Sequence, residues 1–248
     1  MDILETHAYD RRQKRNTSCA LLLSLMPFFL ASAMYFYLWT PHFPASITLA
    51  AVKSAPTLLL AAAVLSWNGG QSVLGVVGGL VFSAVGDCCL VWPEFFLHGM
   101  AAFALAHLLY SFAFLSSRYE AYSSSSWTGL LYLILVVIAG GFYTYLFPFL
   151  RKDPNSDLMV PAVGGYVVII TLMGILATRT RRGFTLLGSL IFIVSDLSLA
   201  MQQFKVTAPV EHGNTVVMVT YYLAQLLISV GDMKAVEIKN DFAKWKQT

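Results

Sequence analysis

Two aspartates and a lysine lie inside stretches of sequence that are otherwise apolar enough to cross a membrane. Asp87 lies in the run Gly75–Leu90, Asp196 ends the run GSLIFIVSD, and Lys53 stands three residues before Pro56. A carboxylate in hydrocarbon costs about 2.5–3.5 kcal/mol on insertion scales, so such a residue usually faces the protein interior. We therefore expect each of these groups to have a buried partner or a chemical function, of which proton transfer is the natural one for a carboxyl group.

Small residues precede Asp87 at helical spacing. Steps of four residues back from Asp87 lead to Ser83, Gly79 and Gly75. On a helix these residues share one face, and small residues allow a neighbouring helix to approach closely. The pattern predicts that another helix packs on this face, with the carboxylate at its end.

The composition is that of a membrane protein. Of the 248 residues, 57% are hydrophobic and only 12% are charged, whereas a soluble domain averages about 25% charged residues. The mean hydropathy is +0.67. Three cysteines are too few for a disulfide framework, and no paired Cys/His pattern indicates a metal site. No basic surface interleaved with aromatic residues indicates nucleic-acid binding.

Eight apolar stretches of about 20 residues follow one another, each long enough to cross ~30 Å of hydrocarbon. The sequence therefore predicts an all-α bundle of eight transmembrane helices over residues 19–235, between cytosolic tails at 1–18 and 236–248. The expected spans are 19–39, 46–66, 71–92, 97–116, 127–148, 158–178, 184–203 and 215–235.

The distribution of positive charge predicts the orientation. Arg151, Lys152 and Lys205 fall on one side of the predicted bundle and Lys53 lies within a span, so the other 12 of 16 Lys and Arg residues share the side of both termini. The positive-inside rule places that side in the cytosol. The last five residues, KWKQT, match the K-x-K-x-x signal for retrieval to the endoplasmic reticulum, although a solvated basic tail is the alternative interpretation.

A weak internal repeat links the two halves. A shift of 109 residues matches Asp87 with Asp196 and Gly79 with Gly188. Because spans 3 and 7 run in the same direction, this pattern indicates a parallel four-plus-four duplication. It predicts equivalent places for the two spans, with the two aspartates facing each other.

The three ionisable residues fall at one depth. Counted from the span ends, Lys53, Asp87 and Asp196 lie roughly 8–10 Å from the lumenal side, which favours one common site. The alternatives are a buried ion triad that holds the bundle together and a lysine that extends to the interface. Asp232, beside Lys234, is expected at the cytosolic interface.

Polar residues on spans 4 and 8 are further candidates for the site. His107 and Tyr110 lie on one face of span 4, and span 8 carries Tyr221, Tyr222 and Gln225. These side chains could bind a polar ligand or join helices by hydrogen bonds. The pattern leaves both roles open.

These residues resemble the lysoplasmalogenase family of eight-span membrane enzymes, and the length and C-terminal tail are most similar to its vertebrate members. The motifs that carry the resemblance extend over spans 2 to 8. They are Lys53-x-x-Pro56, Phe82-Ser83-x-x-Gly86-Asp87-x-x-Leu90, Phe103-x-x-x-His107-x-x-Tyr110, Gly188 with Phe192-x-x-Ser195-Asp196, and Tyr222-x-x-Gln225.

The resemblance implies hydrolysis of the vinyl ether bond of a lysophospholipid, lysoplasmenylethanolamine or lysoplasmenylcholine. The products would be a fatty aldehyde and glycerophosphoethanolamine or glycerophosphocholine, with water as co-substrate and no organic cofactor. Asp87 and Asp196 would be the catalytic pair, because an oxocarbenium-like cation needs an acid to form it and a carboxylate to stabilise it. Two carboxyl groups at close range would share a proton, so the acid and the base are not assigned individually.

The same resemblance implies a substrate pocket and leaves other functions open. Lys53, His107, Tyr110 and Gln225, with both tyrosines of span 8, Tyr221 and Tyr222, would line the pocket. A proton-coupled transporter and a non-catalytic lipid-binding protein are the alternative functions, since both also use ionisable residues inside a bundle. A homodimer is left open as an assembly state.

Overall fold

The computed structural model describes residues 3–38, 44–119, 126–206 and 213–245. Within these residues helices are the only regular secondary structure, as the sequence predicts, and eight of them are α-helices. Their bounds are α1 Ile3–Leu38, α2 Ile47–Asn68, α3 Gly78–Cys89, α4 Phe96–Leu115, α5 Ser126–Leu150, α6 Ser156–Arg179, α7 Gly183–Gln203 and α8 Gly213–Trp245.

Seven helical segments of the described chain are long and apolar enough to cross a membrane. One of them, Ile47–Cys89, has 43 residues and contains both α2 and α3. The multi-span membrane architecture is therefore confirmed, and the count of eight crossings stays a prediction.

Helices α2 and α3 form an antiparallel hairpin. Ser46 starts α2, because its extended backbone lets its hydroxyl accept a hydrogen bond from the backbone N–H of Leu49 at 3.1 Å. Near one end of the hairpin the Cys88 thiol lies 3.9 Å from the Ala50 carbonyl, and at the other end α2 passes directly into the connecting turn.

The connection between α2 and α3 corrects one prediction. A 3₁₀ turn at Gly69–Ser72 and a π-helical turn at Val73–Val77 join the two helices. Gly75 has φ −146° and ψ −113° inside that turn. The expectation of a helix that already includes Gly75 is therefore wrong, because the chain reverses direction here and α3 begins only at Gly78.

The small-residue face of α3 packs against α4, as the spacing predicts. A methyl group on Gly79 would overlap the ring of Tyr110. In the preceding turn, a Cβ atom on Gly75 would lie 2.9 Å from Cβ of Ala113. This close approach places Ser83 and Asp87 of the same face in the interior, where both are at most 2% exposed.

Helix α8 lies in the interior and α5 lies at the periphery. Ser195 of α7 donates to the Val217 carbonyl of α8 at 3.0 Å. Further along the same antiparallel pair, a methyl group on Gly188 would meet the backbone of α8. On α5, by contrast, Leu133 and Val137 are about 60% exposed, which suits contact with lipid chains.

The segments predicted as N-terminal and C-terminal tails are helical where the structure describes them, as extensions of α1 and α8. Helix α1 begins at Ile3 and α8 extends to Trp245. The end of the K-x-K-x-x signal, residues 246–248, lies outside the described residues.

Candidate active site

Asp87 is buried and has three polar neighbours. Its Oδ2 accepts a hydrogen bond from the Tyr221 hydroxyl at 2.7 Å and one from Thr57 at 3.4 Å. Lys53 Nζ lies 3.9 Å from Oδ1. The predicted association of Lys53 with Asp87 is therefore present, as a long ion pair between α2 and α3.

Asp196 has a separate set of partners. Its Oδ2 accepts hydrogen bonds from the Tyr166 hydroxyl at 2.5 Å and from His107 Nε2 at 3.2 Å. The His107 tautomer with its proton on Nε2 can make this contact, because it donates toward the carboxylate. Both donors reach Oδ2, so Oδ1 is left available for another group.

The two carboxylates do not contact each other. The Tyr221 ring, on the Asp87 side, lies 5.5 Å from the Phe192 ring, and that ring lies 4.7 Å from the ring of His107 on the Asp196 side. The expectation of two facing aspartates that share a proton therefore does not match the structure. Bulky rings occupy the centre of the bundle, and a repeat in sequence does not specify where such rings point.

Asp196 borders an apolar cavity. The cavity and the open space at its mouth together contain about 620 Å³. Tyr166 also lines it, and Asp87 is not among its lining residues. The apolar part of the wall includes Met100, Phe142, Val163, Ile170, Leu197 and Phe204. A single carboxylate, 14% exposed, thus borders a space with mainly apolar walls.

The remaining predicted residues lie near these groups without joining the cavity. The Tyr110 hydroxyl donates to Gln225 Oε1 at 2.6 Å and lies 3.4 Å from the Ser83 hydroxyl. The Tyr222 hydroxyl donates to the backbone carbonyl of Lys53 at 2.7 Å. Tyr222 therefore joins α8 to α2, the helix-joining role that the sequence left open.

Thr57 and Tyr166, which donate to the two aspartates, are not among the residues that the sequence predicts for the site. Each lies 30 residues before its aspartate. The 109-residue repeat that matches Asp87 with Asp196 also matches Thr57 with Tyr166. The repeat therefore contained a signal for these two donors. It aligns a threonine with a tyrosine, however, and becomes visible only after the two aspartates are aligned in sequence.

Asp232 is fully buried within the protein. Its Oδ2 accepts from Ser72 at 2.5 Å and from Asn68 at 2.9 Å. Its Oδ1 accepts from Tyr119 at 3.1 Å and lies 3.5 Å from Arg118 Nε. The sequence could not indicate this cluster, because its members come from α2, α8 and two connecting turns. We call these five residues the Asp232 cluster.

The Tyr119 hydroxyl is a stable donor in this cluster. Burial raises the pKa of Tyr119 well above its usual range, and the charge of Asp232 raises it further. Among the described residues, no group of three or more His, Cys, Asp or Glu side chains lies close enough together to bind a metal ion.

Comparison with known proteins identifies the family. Residues 48–231 match the YhhN family. The chain belongs to the YhhN family. Its relatives include Homo sapiens lysoplasmalogenase TMEM86B, which is 40% identical over 220 residues, covering 88% of this chain and 89% of that protein.

Other relatives carry the same name. Bos taurus lysoplasmalogenase TMEM86A is 35% identical over 242 residues, covering 88% of this chain and 92% of the relative. A lysoplasmalogenase of Mycobacterium bovis is 29% identical over 202 residues, covering 78% and 73%. No solved structure matches the chain significantly. The resemblance stated from the motifs is thereby confirmed.

Proposed function

We propose that this YhhN-family chain is a membrane-embedded lysoplasmalogenase, which hydrolyses the vinyl ether bond of lysoplasmenylethanolamine or lysoplasmenylcholine. The observation that carries the proposal is the apolar cavity with Asp196 in its wall. A lysoplasmalogen has a long hydrocarbon chain that begins at the reactive double bond, so a chain in this cavity would place that bond beside the carboxyl group. The names of the relatives support the same reaction.

The reaction needs one proton donor and one water molecule. A proton added to the second carbon of the vinyl ether gives an oxocarbenium ion at the first carbon. Water adds to that carbon and loses a proton, which forms a hemiacetal. The hemiacetal then collapses to the fatty aldehyde, and the glycerol oxygen leaves with a proton. The net change consumes one water and returns the catalytic acid to its starting state.

Asp196 is the proposed proton donor. Its Oδ1 has no described protein donor and would face the alkenyl carbon, while Tyr166 and His107 hold Oδ2. These two donors stabilise negative charge on the carboxylate as its proton leaves, which is when charge develops in the transition state. The resulting carboxylate can then take a proton from the attacking water.

Asp87 is the proposed second carboxylate. Lys53 and Tyr221 hold it on the opposite side of the central aromatic residues. There its charge would stabilise the cation electrostatically through the protein interior. The hydrogen bond from Tyr110 to Gln225 joins α4 to α8, and Tyr222 joins α8 to α2 through the backbone of Lys53; we propose that these side chains hold the helices that carry the site.

Separate Asp196→Asn and Asp87→Asn variants test this assignment. Aldehyde release from lysoplasmenylethanolamine is measured with purified protein in detergent micelles, where transport between compartments cannot take place. Loss of a catalytic acid is expected to reduce kcat by about 10²–10⁴-fold. The exposed Asp157→Asn variant is the matched control. Full activity in a folded Asp196→Asn variant would refute the proposed acid, and full activity in Asp87→Asn would leave a mechanism with one carboxylate.

The proposed topology has eight crossings with both termini in the cytosol. Its support is the antiparallel α2–α3 hairpin, because the 22 residues of α2 already extend about 33 Å at 1.5 Å per residue. In this arrangement residues 19–235 form the membrane domain, and residues 1–18 and 236–248 lie on the cytosolic side of the endoplasmic reticulum membrane. A homodimer stays a prediction.

The proposed four-plus-four duplication is supported by exchanged contacts. Asp87 of α3 accepts from α2 and α8, while Asp196 of α7 accepts from α6 and α4. When α1–α4 is matched with α5–α8, α2 corresponds to α6 and α8 corresponds to α4. Each aspartate therefore accepts hydrogen bonds from an equivalent pair of helices. Two related carboxylate sites would then have diverged, with one of them opening onto the substrate cavity.

A further inference from the structure

A row of buried polar side chains follows one face of α8. Tyr221, Gln225, Ser229 and Asp232 are spaced by four, four and three residues, and each is at most 4% exposed. This spacing keeps them on one helix face over roughly 16 Å. Tyr221 donates to Asp87 at one end, and the other end is the Asp232 cluster. We call these four residues the α8 polar row.

Several buried polar atoms along this row have no hydrogen-bond partner among the described residues. They are Nε2 of Gln225 and the hydroxyls of Ser229 and Ser189. Ser189 belongs to α7 and follows Gly188, which lies against the backbone of α8. At the far end, Oδ1 of Asn68 in the Asp232 cluster is also unpartnered. Buried polar groups in proteins nearly always bond to protein or to ordered water.

Polar side chains of other helices face the row. Tyr110 and Ser83 face the middle of the row, where Tyr110 donates to Gln225. Thr57 lies 3.4 Å from both the Tyr221 hydroxyl and the Asp87 carboxylate. The levels of Tyr221 and Gln225 therefore offer both donors and acceptors, which are the kinds of group that bind buried water in proteins.

We propose that the α8 polar row holds a file of internal water molecules that links the Asp232 cluster to Asp87. The function of this file rests on the proposed function. The file would bring water and protons through the bundle to the second carboxylate. Ionisable and hydroxyl groups in series are the usual components of such paths in membranes.

Hydroxyl-radical footprinting without substrate tests the proposal. Short X-ray pulses generate radicals from water in place, so a buried side chain is labelled quickly only where water lies against it. We expect Tyr110 and Tyr221 to be labelled at rates near that of Tyr37, which is 87% exposed. Phe28 is 3% exposed among apolar neighbours and is expected to stay unlabelled. Tyrosines as unreactive as Phe28 would overturn the proposal.

Removal of hydroxyl groups that would bond to the water file should reduce the radical labelling of the buried tyrosines. We expect the Ser189→Ala/Ser229→Ala double variant to lose labelling of Tyr110. The matched control is Ser54→Ala, a buried serine whose hydroxyl already donates to the Ala50 carbonyl at 2.9 Å, and this variant should label like the parent protein. Unchanged labelling in the double variant would also overturn the proposal.

The footprinting result is independent of catalysis. If Asp196→Asn kept full activity, the proposed acid would fail while the labelling of the row would be unaffected. If the tyrosines stayed unlabelled while the protein released aldehyde, the water file would fail and the hydrolase would stand.

Discussion

Tyr166→Phe is the sharpest test of the Asp196 site, because it removes one hydroxyl and preserves the ring. The ring contacts His107 at 5.5 Å between centroids, and that contact survives in the variant. Only the hydrogen bond from the Tyr166 hydroxyl to Asp196 Oδ2, 2.5 Å long, and the hydroxyl's contact with His107 Nε2 are lost.

The expected effect follows from the charge on the acceptor. A hydrogen bond to a charged group contributes about 1.5–3 kcal/mol. If it stabilises the carboxylate as the proton leaves, that energy is lost from the transition state, and about 1.4 kcal/mol corresponds to a tenfold change in rate. We therefore expect kcat and kcat/KM to fall together by about 10- to 100-fold, with His107 still donating to the same oxygen.

The assay is aldehyde release in micelles over a range of lysoplasmenylethanolamine concentrations. The matched control is Tyr143→Phe, whose hydroxyl donates to the Val160 carbonyl at 3.0 Å on the α5–α6 pair, and which should change the rate by less than about threefold. A folded Tyr166→Phe protein with parental kcat would refute the idea that this donor stabilises a catalytic carboxylate. An equal loss in both variants would attribute the effect to general destabilisation.

Three other predictions concern stability and topology. Arg118→Met leaves the buried Asp232 without its cation, so the free energy of unfolding in detergent should fall by about 3–5 kcal/mol, and unchanged thermal stability would contradict the structure of the cluster. Gly79→Ala should destabilise by about 1–3 kcal/mol because a methyl group meets an aromatic ring. Gly165→Ala, with no heavy atom within 4 Å of the new Cβ, should be neutral or slightly stabilising in the same thermal assay. An N-terminal epitope should bind antibody once the plasma membrane alone is permeabilised. The Asn155→Cys variant should react at its new thiol with an impermeant maleimide only after the membrane of the endoplasmic reticulum is also opened. The opposite pattern would reverse the proposed orientation.

Much of the architecture could be predicted from local sequence. Hydrophobic runs of about 20 residues specify helices that cross a membrane, and each predicted span from 97–116 onward overlaps one of α4 to α8. The small-residue spacing before Asp87 predicted the packing of α4, because a face without side chains allows close approach. The start of α3 was missed, since a chain reversal among glycines looks as apolar as the helix that follows it.

The sequence by itself determined that Asp87 and Asp196 face the interior of a helical membrane protein, because the cost of a carboxylate in hydrocarbon requires such a position. Only the tertiary structure decided their partners. The rotation of each helix about its axis directs Asp196 toward Tyr166 and His107 and directs Asp87 toward Tyr221, with Phe192 between them. That rotation is set by the packing of large rings in the bundle centre, and side chains from distant segments must interlock there before any of them has a defined direction.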